Sequence, residues 1–378
     1  MPQLTPYYLT FHSGLHLGAP KGQLGESAAW IPADTLFASL VDVWRRSERD
    51  PDPFVAAFIA QPADPPFLLT SAFPFAGAVR FYPMPLDLAR LFDGKTLKER
   101  GKEIKRIRYC SETLLRRGLS GARLDDWLFP AEEHESPTNG VALQGGALWL
   151  TAQEVERLPA AMRLIDGDAK RARPPRALRR FAVYGAERVP RVTVDRISSA
   201  STIYHAGRAT FASGCGLWFG VHWRTPGVAW QMQMGQLLAL LGDDGLGGER
   251  SSGYGGFTVD ARDAFHLPDA HAGRPALLLS RYHPTAEEAP AALNHPAAAY
   301  GLSQVAGWLR SPDAAGQRRK RLMLVSEGSI VCPPRAPAGD VVDVRPDYAS
   351  GSGVAHPVFR YGLALAVDAS KMQEAVNG

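Results

Sequence analysis

The chain has 378 residues, 45% of them hydrophobic and 21% charged, with a formal net charge of +4. At ~100–200 residues per domain this is one large domain or two, and a mainly disordered chain is excluded. The mild basic excess is compatible with nucleic acid but does not identify it.

Thirty-seven glycines and 30 prolines favour turns and loops over a helical bundle. No apolar run approaches the ~18 residues of a membrane span. The first residues, MPQLTPYYLT, lack the basic and apolar regions of a secretory signal. Cys110, Cys215 and Cys332 are too far apart for a zinc pair or a disulfide framework. The expectation is a reduced, cytoplasmic protein without metal or cofactor.

Taken in chain order, PYYLTFHSGLHLG predicts a strand broken by Gly14 and Gly18. A helix follows, entered at Pro32 and Asp34, with Leu36, Phe37, Leu40, Val41 and Trp44 on one face. PPFLLTSAF and AVRFYPMPL predict two strands joined through Pro74 and Gly77. From about 86 to 190 the pattern weakens, and this stretch reads as an elaborated, partly mobile insertion. It carries two basic clusters, Lys95–Arg108 and Arg163–Arg180.

RVTVDRISSAS predicts a hairpin arm, and ATFASGCGLWFGVHW the buried strand after it. The next helix carries Trp230, Met234, Leu237, Leu238 and Leu241, with Gly242 as its stop. A glycine-rich loop and the strand GGFTVD complete a strand–helix–strand–strand, strand–helix–strand order, that of a ferredoxin-like fold. After a break near HLPDAHAGRP, a second, smaller unit is expected. Its helix would contain Tyr300, Leu302, Val305, Trp308 and Leu309, between the strand ALLLSRY and three later strands. The fold class is therefore α+β with two ferredoxin-like domains, residues 1–265 and 266–378.

The segment 242–256, GDDGLGGERSSGYGG, is the most informative. It is not a Walker loop, because Arg250 stands where that motif has lysine. It is not a dinucleotide fingerprint, because it leaves a helix and enters a strand. Glycines at 247, 248, 253 and 255 let a backbone approach a ligand closely, and Arg250 with Ser251 and Ser252 adds a cation and neutral donors. Local chemistry favours a phosphate ligand over plain turns.

This loop resembles that of the RAMP superfamily of CRISPR RNA-binding proteins. The ordered set LHLG, IPADTLFASLVDVW, PPFLLTSAFPF with FYPMPL, KRIRY, VDRISSAS, the glycine loop, and SEGSIV with HPVFRYGLAL is similar to the Cas5-like fourth Csm subunit of type III-A effector complexes. The resemblance implies a non-catalytic subunit that binds the 5′ tag of the CRISPR RNA (crRNA). It also implies docking on a large polymerase-like subunit and contact with a backbone RAMP subunit, and no membrane.

Candidate RNA contacts, beside Gly247, Gly248, Arg250, Ser251, Ser252, Gly253 and Gly255, are His16 and Thr35. Thr35 stands at a helix N-terminus whose N–H groups can face an anion, or can simply be capped. Arg196, Ile197 and Ser198 occupy the hairpin arm, where the resemblance implies a wedge between bases. Lys105 and Arg106 could track the backbone or form a solvated face. The rival reading is a metal-independent CRISPR RNA-processing endonuclease using His16 as general base.

Overall fold

A computed structural model describes residues 3–18, 29–47, 49–60, 62–132, 134–165, 168–194, 201–224, 228–309, 317–346, 354 and 356–374. The first elements are β1 (Gln3–Phe11) and α1 (Ala33–Arg46). The apolar stripe of α1 is buried at Leu36, Phe37, Leu40 and Val43. A short helix, α2 (Asp52–Ile59), adds Phe54 and Phe58 to the same core. β2 (Phe67–Leu69), β3 (Phe73–Ala76) and β4 (Val79–Pro83) follow; Pro74 lies inside β3, and the turn falls at Gly77.

The 86–190 stretch contains α3 (Gly94–Ile104), β5 (Tyr109–Ser111), α4 (Glu112–Leu119), β6 (Gly140–Leu143), β7 (Leu148–Thr151), α5 (Ala160–Arg163), β8 (Leu164–Ile165) and β9 (Asp168–Ala172). Three of these strands, β5, β6 and β7, extend the main sheet, so the stretch is part of the scaffold. Each is three or four residues long, too short to show a period in sequence. Three arginines of the second basic cluster are internal staples. Arg163 donates to Leu158 O, Arg173 to Met162 O and Leu164 O, and Arg179 to Ala131 O. Guanidinium donors satisfy carbonyls that irregular backbone leaves open.

β10 (Tyr184–Val194) and β11 (Ser201–Phe211) pair antiparallel along their whole length, giving the expected arm. β12 (Cys215–Trp223) is buried from Cys215 to Val221, as its apolar run predicts. α6 (Val228–Asp244), β13 (Phe257–Ala261) and β14 (Phe265–His266) follow. Gly242 does not stop α6: the helix runs two residues further, and Gly245 takes the left-handed turn at φ +81. Gly242 instead permits close packing, since a Cβ there would stand 2.3 Å from Phe257 O.

The C-terminal part holds β15 (Ala276–Leu278), α7 (Glu288–Leu293), β16 (Leu302–Val305), β17 (Leu322–Val325), β18 (Ile330–Val331), β19 (Val341–Asp343), β20 (Phe359–Tyr361), β21 (Ala366–Asp368) and α8 (Ser370–Glu374). The helix expected across Tyr300–Leu309 is a correction: this segment is β16, paired with β17. Its apolar residues are no buried helical face, because Tyr300, Leu302 and Trp308 are exposed.

The main sheet has ten strands in the order β13-β1-β12-β3-β4-β5-β7-β6, with β2 on β12 and β14 on β1. β1 is antiparallel to both neighbours, and both its faces are covered. Tyr7 stacks on Phe219 on one face, while Tyr8 meets Phe75 on the other. That is why the polar–apolar alternation read from its sequence does not become an exposed–buried alternation. The C-terminal part forms the sheet β18-β15-β21 and the pairs β16–β17 and β19–β20. It shares the core of the first part: Tyr361 stacks on Phe37 at 4.9 Å, and its hydroxyl accepts from Leu69 N–H. Among the described residues no helix is long and apolar enough to cross a membrane.

Candidate nucleic-acid interface

The glycine loop after α6 folds back on residues 13–16. Gly247 has φ +96, and a Cβ there would stand 2.4 Å from His16 O. Gly248 N–H donates to His16 O at 2.8 Å and Gly255 N–H to Gly14 O at 2.9 Å. Ser252 and Gly253 donate within the loop, to Glu249 O and Arg250 O. These four N–H groups therefore hold the loop to itself and to its neighbour. Its anion chemistry rests on side chains: the Arg250 guanidinium and the hydroxyls of exposed Ser251 and Ser252.

His16 is fixed by the same packing. Its Nδ1 donates to Gly207 O on β11 at 2.6 Å, which leaves Nε2 as the other ring nitrogen. Arg191 on β10 lies over the Tyr254 ring at 5.1 Å, so the arm rests on the glycine loop. Arg196, Ile197 and Ser198 lie outside the described residues.

A cleft of about 560 Å³ opens beside the loop. One wall is His16, Thr35, Ser39, Gly247, Gly248 and Arg250; the facing wall is Arg281, Gln304, Arg319 and Arg360. Thr35 lines it, but its N–H is bonded to Pro32 O, and Ala33 N–H is bonded to Ser71 Oγ. The N-terminus of α1 is thus partly capped from within, the second of the two readings its sequence allows.

Asp34 is no cap either. It is fully buried, with Oδ1 3.1 Å from Arg281 Nη1 and Oδ2 2.5 Å from Arg360 Nη1. Arg281 Nε lies 3.8 Å from Glu327, whose carboxylate also accepts from Ser71 Oγ. At the mouth, Arg250 is 3.5 Å from Asp42 and keeps 24% of its side chain exposed. Arg250, Arg281, Arg319 and Arg360 stand against Asp34, Asp42 and the adjoining Glu327, an excess of one positive charge that favours an anion.

Ser251, Ser252 and Gly253 sit on the outer turn of the loop, and Gly255 packs against Leu246, so these four do not line the cleft. Lys105 and Arg106 follow α3; Lys105 borders a separate cavity of about 360 Å³. Arg281, Arg319, Arg360 and Gln304 carry no sequence signal. Arg319 sits in the basic run Arg318–Arg321, which reads in sequence as a solvated loop, and only the tertiary fold gathers it with the other three.

Asp244 pairs with Arg46 at 2.6 Å, and no group of metal ligands occurs among the described residues. Cys110, Cys215 and Cys332 are free and buried.

A mixed α+β scaffold carries this sheet, hairpin arm and arginine-lined cleft. The family model of the Csm4 C-terminal domain matches residues 271–369. The CRISPR system Cms protein Csm4 of Thermococcus onnurineus (strain NA1) is 28% identical over 355 residues, covering 92% of this chain and 93% of that relative. A chain of the solved Csm3–Csm4 subcomplex of the type III-A CRISPR-Cas interference complex superposes with a TM-score of 0.60 at 15% identity, covering 96% of this chain and 99% of that one. A chain of the Csm1–Csm4 cassette in complex with pppApA gives 0.52 at 18% identity, covering 97% and 98%. The chain is Csm4-like in sequence over most of its length and in fold.

Proposed function

We propose that the chain captures the 5′ tag of a crRNA in the cleft between the glycine loop, α1 and the C-terminal strands. The carrying observation is the convergence of Arg250, Arg281, Arg319 and Arg360 with Thr35 and Ser39 on one open cavity. A charged, hydrogen-bonding groove with an aromatic wall is the usual physics of single-strand capture; here Trp30 supplies the aromatic.

The chain would also anchor the large polymerase-like subunit and abut the backbone RAMP subunit, in a cytoplasmic Csm ribonucleoprotein. Support comes from the fold shared with chains of the Csm1–Csm4 and Csm3–Csm4 assemblies. The reading includes a ferredoxin-like first unit, residues 1–265, since the order β13-β1-β12-β3 with α1 and α6 fits that topology. The second unit is residues 266–378.

The subunit is non-catalytic in this reading. His16 Nδ1 is held by Gly207 O, and neither His12 nor His205 lines the cleft with it. Arg250→Ala is the test: it removes one phosphate contact at a half-exposed position. Tag-bearing RNA should bind roughly ten-fold more weakly, with a salt slope shallower by about 0.7. Unchanged affinity and slope would reject the cleft as the RNA site. Wild-type chain incubated with repeat RNA in EDTA should leave it intact; cleavage abolished by His16→Ala would restore the endonuclease reading.

A further inference from the structure

The outer face of α3 carries Lys95, Lys98, Lys102 and Lys105 at spacings of three, four and three residues, followed by Arg106 and Arg108. All six are exposed, and none makes an ion pair with a described residue. The 3-4-3 spacing aligns the lysines on one side of the helix. The inner side holds buried Ile104, half-buried Leu97, and the Arg100–Glu103 pair. Glu99 flanks the stripe and is its only acidic neighbour on the helix surface.

Other exposed helix faces here mix charges. On α1, Arg45 and Arg46 pair with Asp42; on α4, Arg116 pairs with Glu112. Four lysines against the single flanking Glu99 leave this face with an excess of positive charge, and that excess favours an anion from outside. Position identifies which. Lys105 and Arg108 line the 360 Å³ cavity, and Trp30 is a wall shared by that cavity and the 560 Å³ cleft. A strand leaving the cleft past Trp30 reaches Lys105 and Arg108, then the stripe, about 15 Å long at 1.5 Å per residue.

We propose that the α3 stripe is a second, sequence-independent track for single-stranded RNA, continuing the path that begins in the cleft. The inference rests on the cleft reading above. Its chemistry is point-charge attraction to backbone phosphates, with Trp30 as a stacking platform between the two sites.

The test uses the full chain and a labelled oligouridylate of about 30 nucleotides, titrated across a salt series. Three proteins are compared: wild type, Arg250→Ala, and the quadruple variant Lys95→Gln, Lys98→Gln, Lys102→Gln, Lys105→Gln. The lysines are exposed, and matching circular dichroism checks the variant's fold. The quadruple variant should bind at least ten-fold more weakly, with a log–log salt slope shallower by about 2–3, from about 0.7 per lost contact. An unchanged slope in that variant, with Arg250→Ala weakened, overturns the track and leaves the cleft. Weakening in the quadruple variant alone overturns the cleft and with it the continuous path, leaving the stripe as a separate RNA site. No binding by wild type overturns both.

Discussion

Asp34 and Arg360 stand 326 residues apart in the chain and 2.5 Å apart in the fold, Oδ2 against Nη1. With Arg281 on the other oxygen and Glu327 beyond it, two carboxylates and two guanidiniums form a balanced cluster under the cleft. The cluster joins the first helix to two C-terminal segments, so the facing walls of the cleft are set by one buried charge.

Such a cluster contributes little beyond an apolar filling of equal volume, but losing one member leaves its partners charged and dry. Asp34→Ala is expected to cost about 3–5 kcal/mol, read as a lowered urea midpoint. Combining it with Arg360→Met should cost less than the two single changes added, because the second removes a charge the first left unpaired. Strict additivity would mean the two side chains do not interact.

Two glycines of the loop separate conformational strain from close approach. Gly247 has φ +96 with His16 O in the way; Gly253 has φ +78 and open space around it. A left-handed backbone costs an L-residue ~1–2 kcal/mol, and a backbone oxygen cannot swing aside. Gly247→Ala should therefore destabilise by about 2–4 kcal/mol. Gly253→Asn should cost under about 1 kcal/mol, since asparagine tolerates this region. Thermal melts of both variants check the difference; equal losses would show that the approach to His16 carries no weight.

What was legible in the sequence follows from how local each signal is. α1 and β12 were readable because their apolar residues recur within one element and meet one core. The arm was readable around RVTVDRISSAS, but its strands run from Tyr184 to Val194 and from Ser201 to Phe211, so ATF belongs to the arm and not to the buried strand after it. The segment 300–309 misled because Tyr300, Leu302 and Trp308 are surface groups while Val305 and Leu309 are buried, and an exposed Leu302 looks like a buried one in sequence. The basic run at 163–180 likewise conceals its role, since a guanidinium bonded to a carbonyl has no sequence mark. The cleft was half legible. Its glycine loop and His16 lie in recognisable segments, whereas Arg281, Arg319 and Arg360 gain their meaning only when β15, β17 and β20 are brought opposite α1.

Acid should destabilise the fold through Glu112 and Glu288. Burial opposes ionisation of Glu112, but Arg80 and Arg116 outweigh it and hold the carboxyl below its ordinary value. Burial acts likewise on Glu288, outweighed by Arg335 and the N–H groups of Thr285 and Gly339. A carboxyl whose native pKa lies below its unfolded one adds stability that is complete above the unfolded value. That stability drains away as pH falls through the native value. Stability should therefore hold at neutral pH and fall below about pH 4.3, the unfolded glutamate value. Glu112→Gln should be less stable than wild type at pH 7, because Arg80 loses its counter-charge, and should show a flatter acid limb. An acid limb unchanged in that variant would assign the loss to other carboxyls.

The three thiols give the last prediction. The thiolate is the reactive form, and burial pushes Cys110 and Cys215 up to about 12 and raises Cys332 as well. All three side chains are also closed off from solvent, at about 1% exposure each. Burial therefore acts twice, on access and on ionisation. At pH 8 the folded protein should react with a colourless aromatic disulfide reagent only as fast as it unfolds, and all three thiols should appear at once in urea. Cys215 is the informative member. It begins β12, opposite Ala76 of β3, so its release would report separation of two central strands. A thiol that reacts quickly in the folded chain, mapped to Cys215 by mass spectrometry, would show that β12 and β3 separate there without global unfolding.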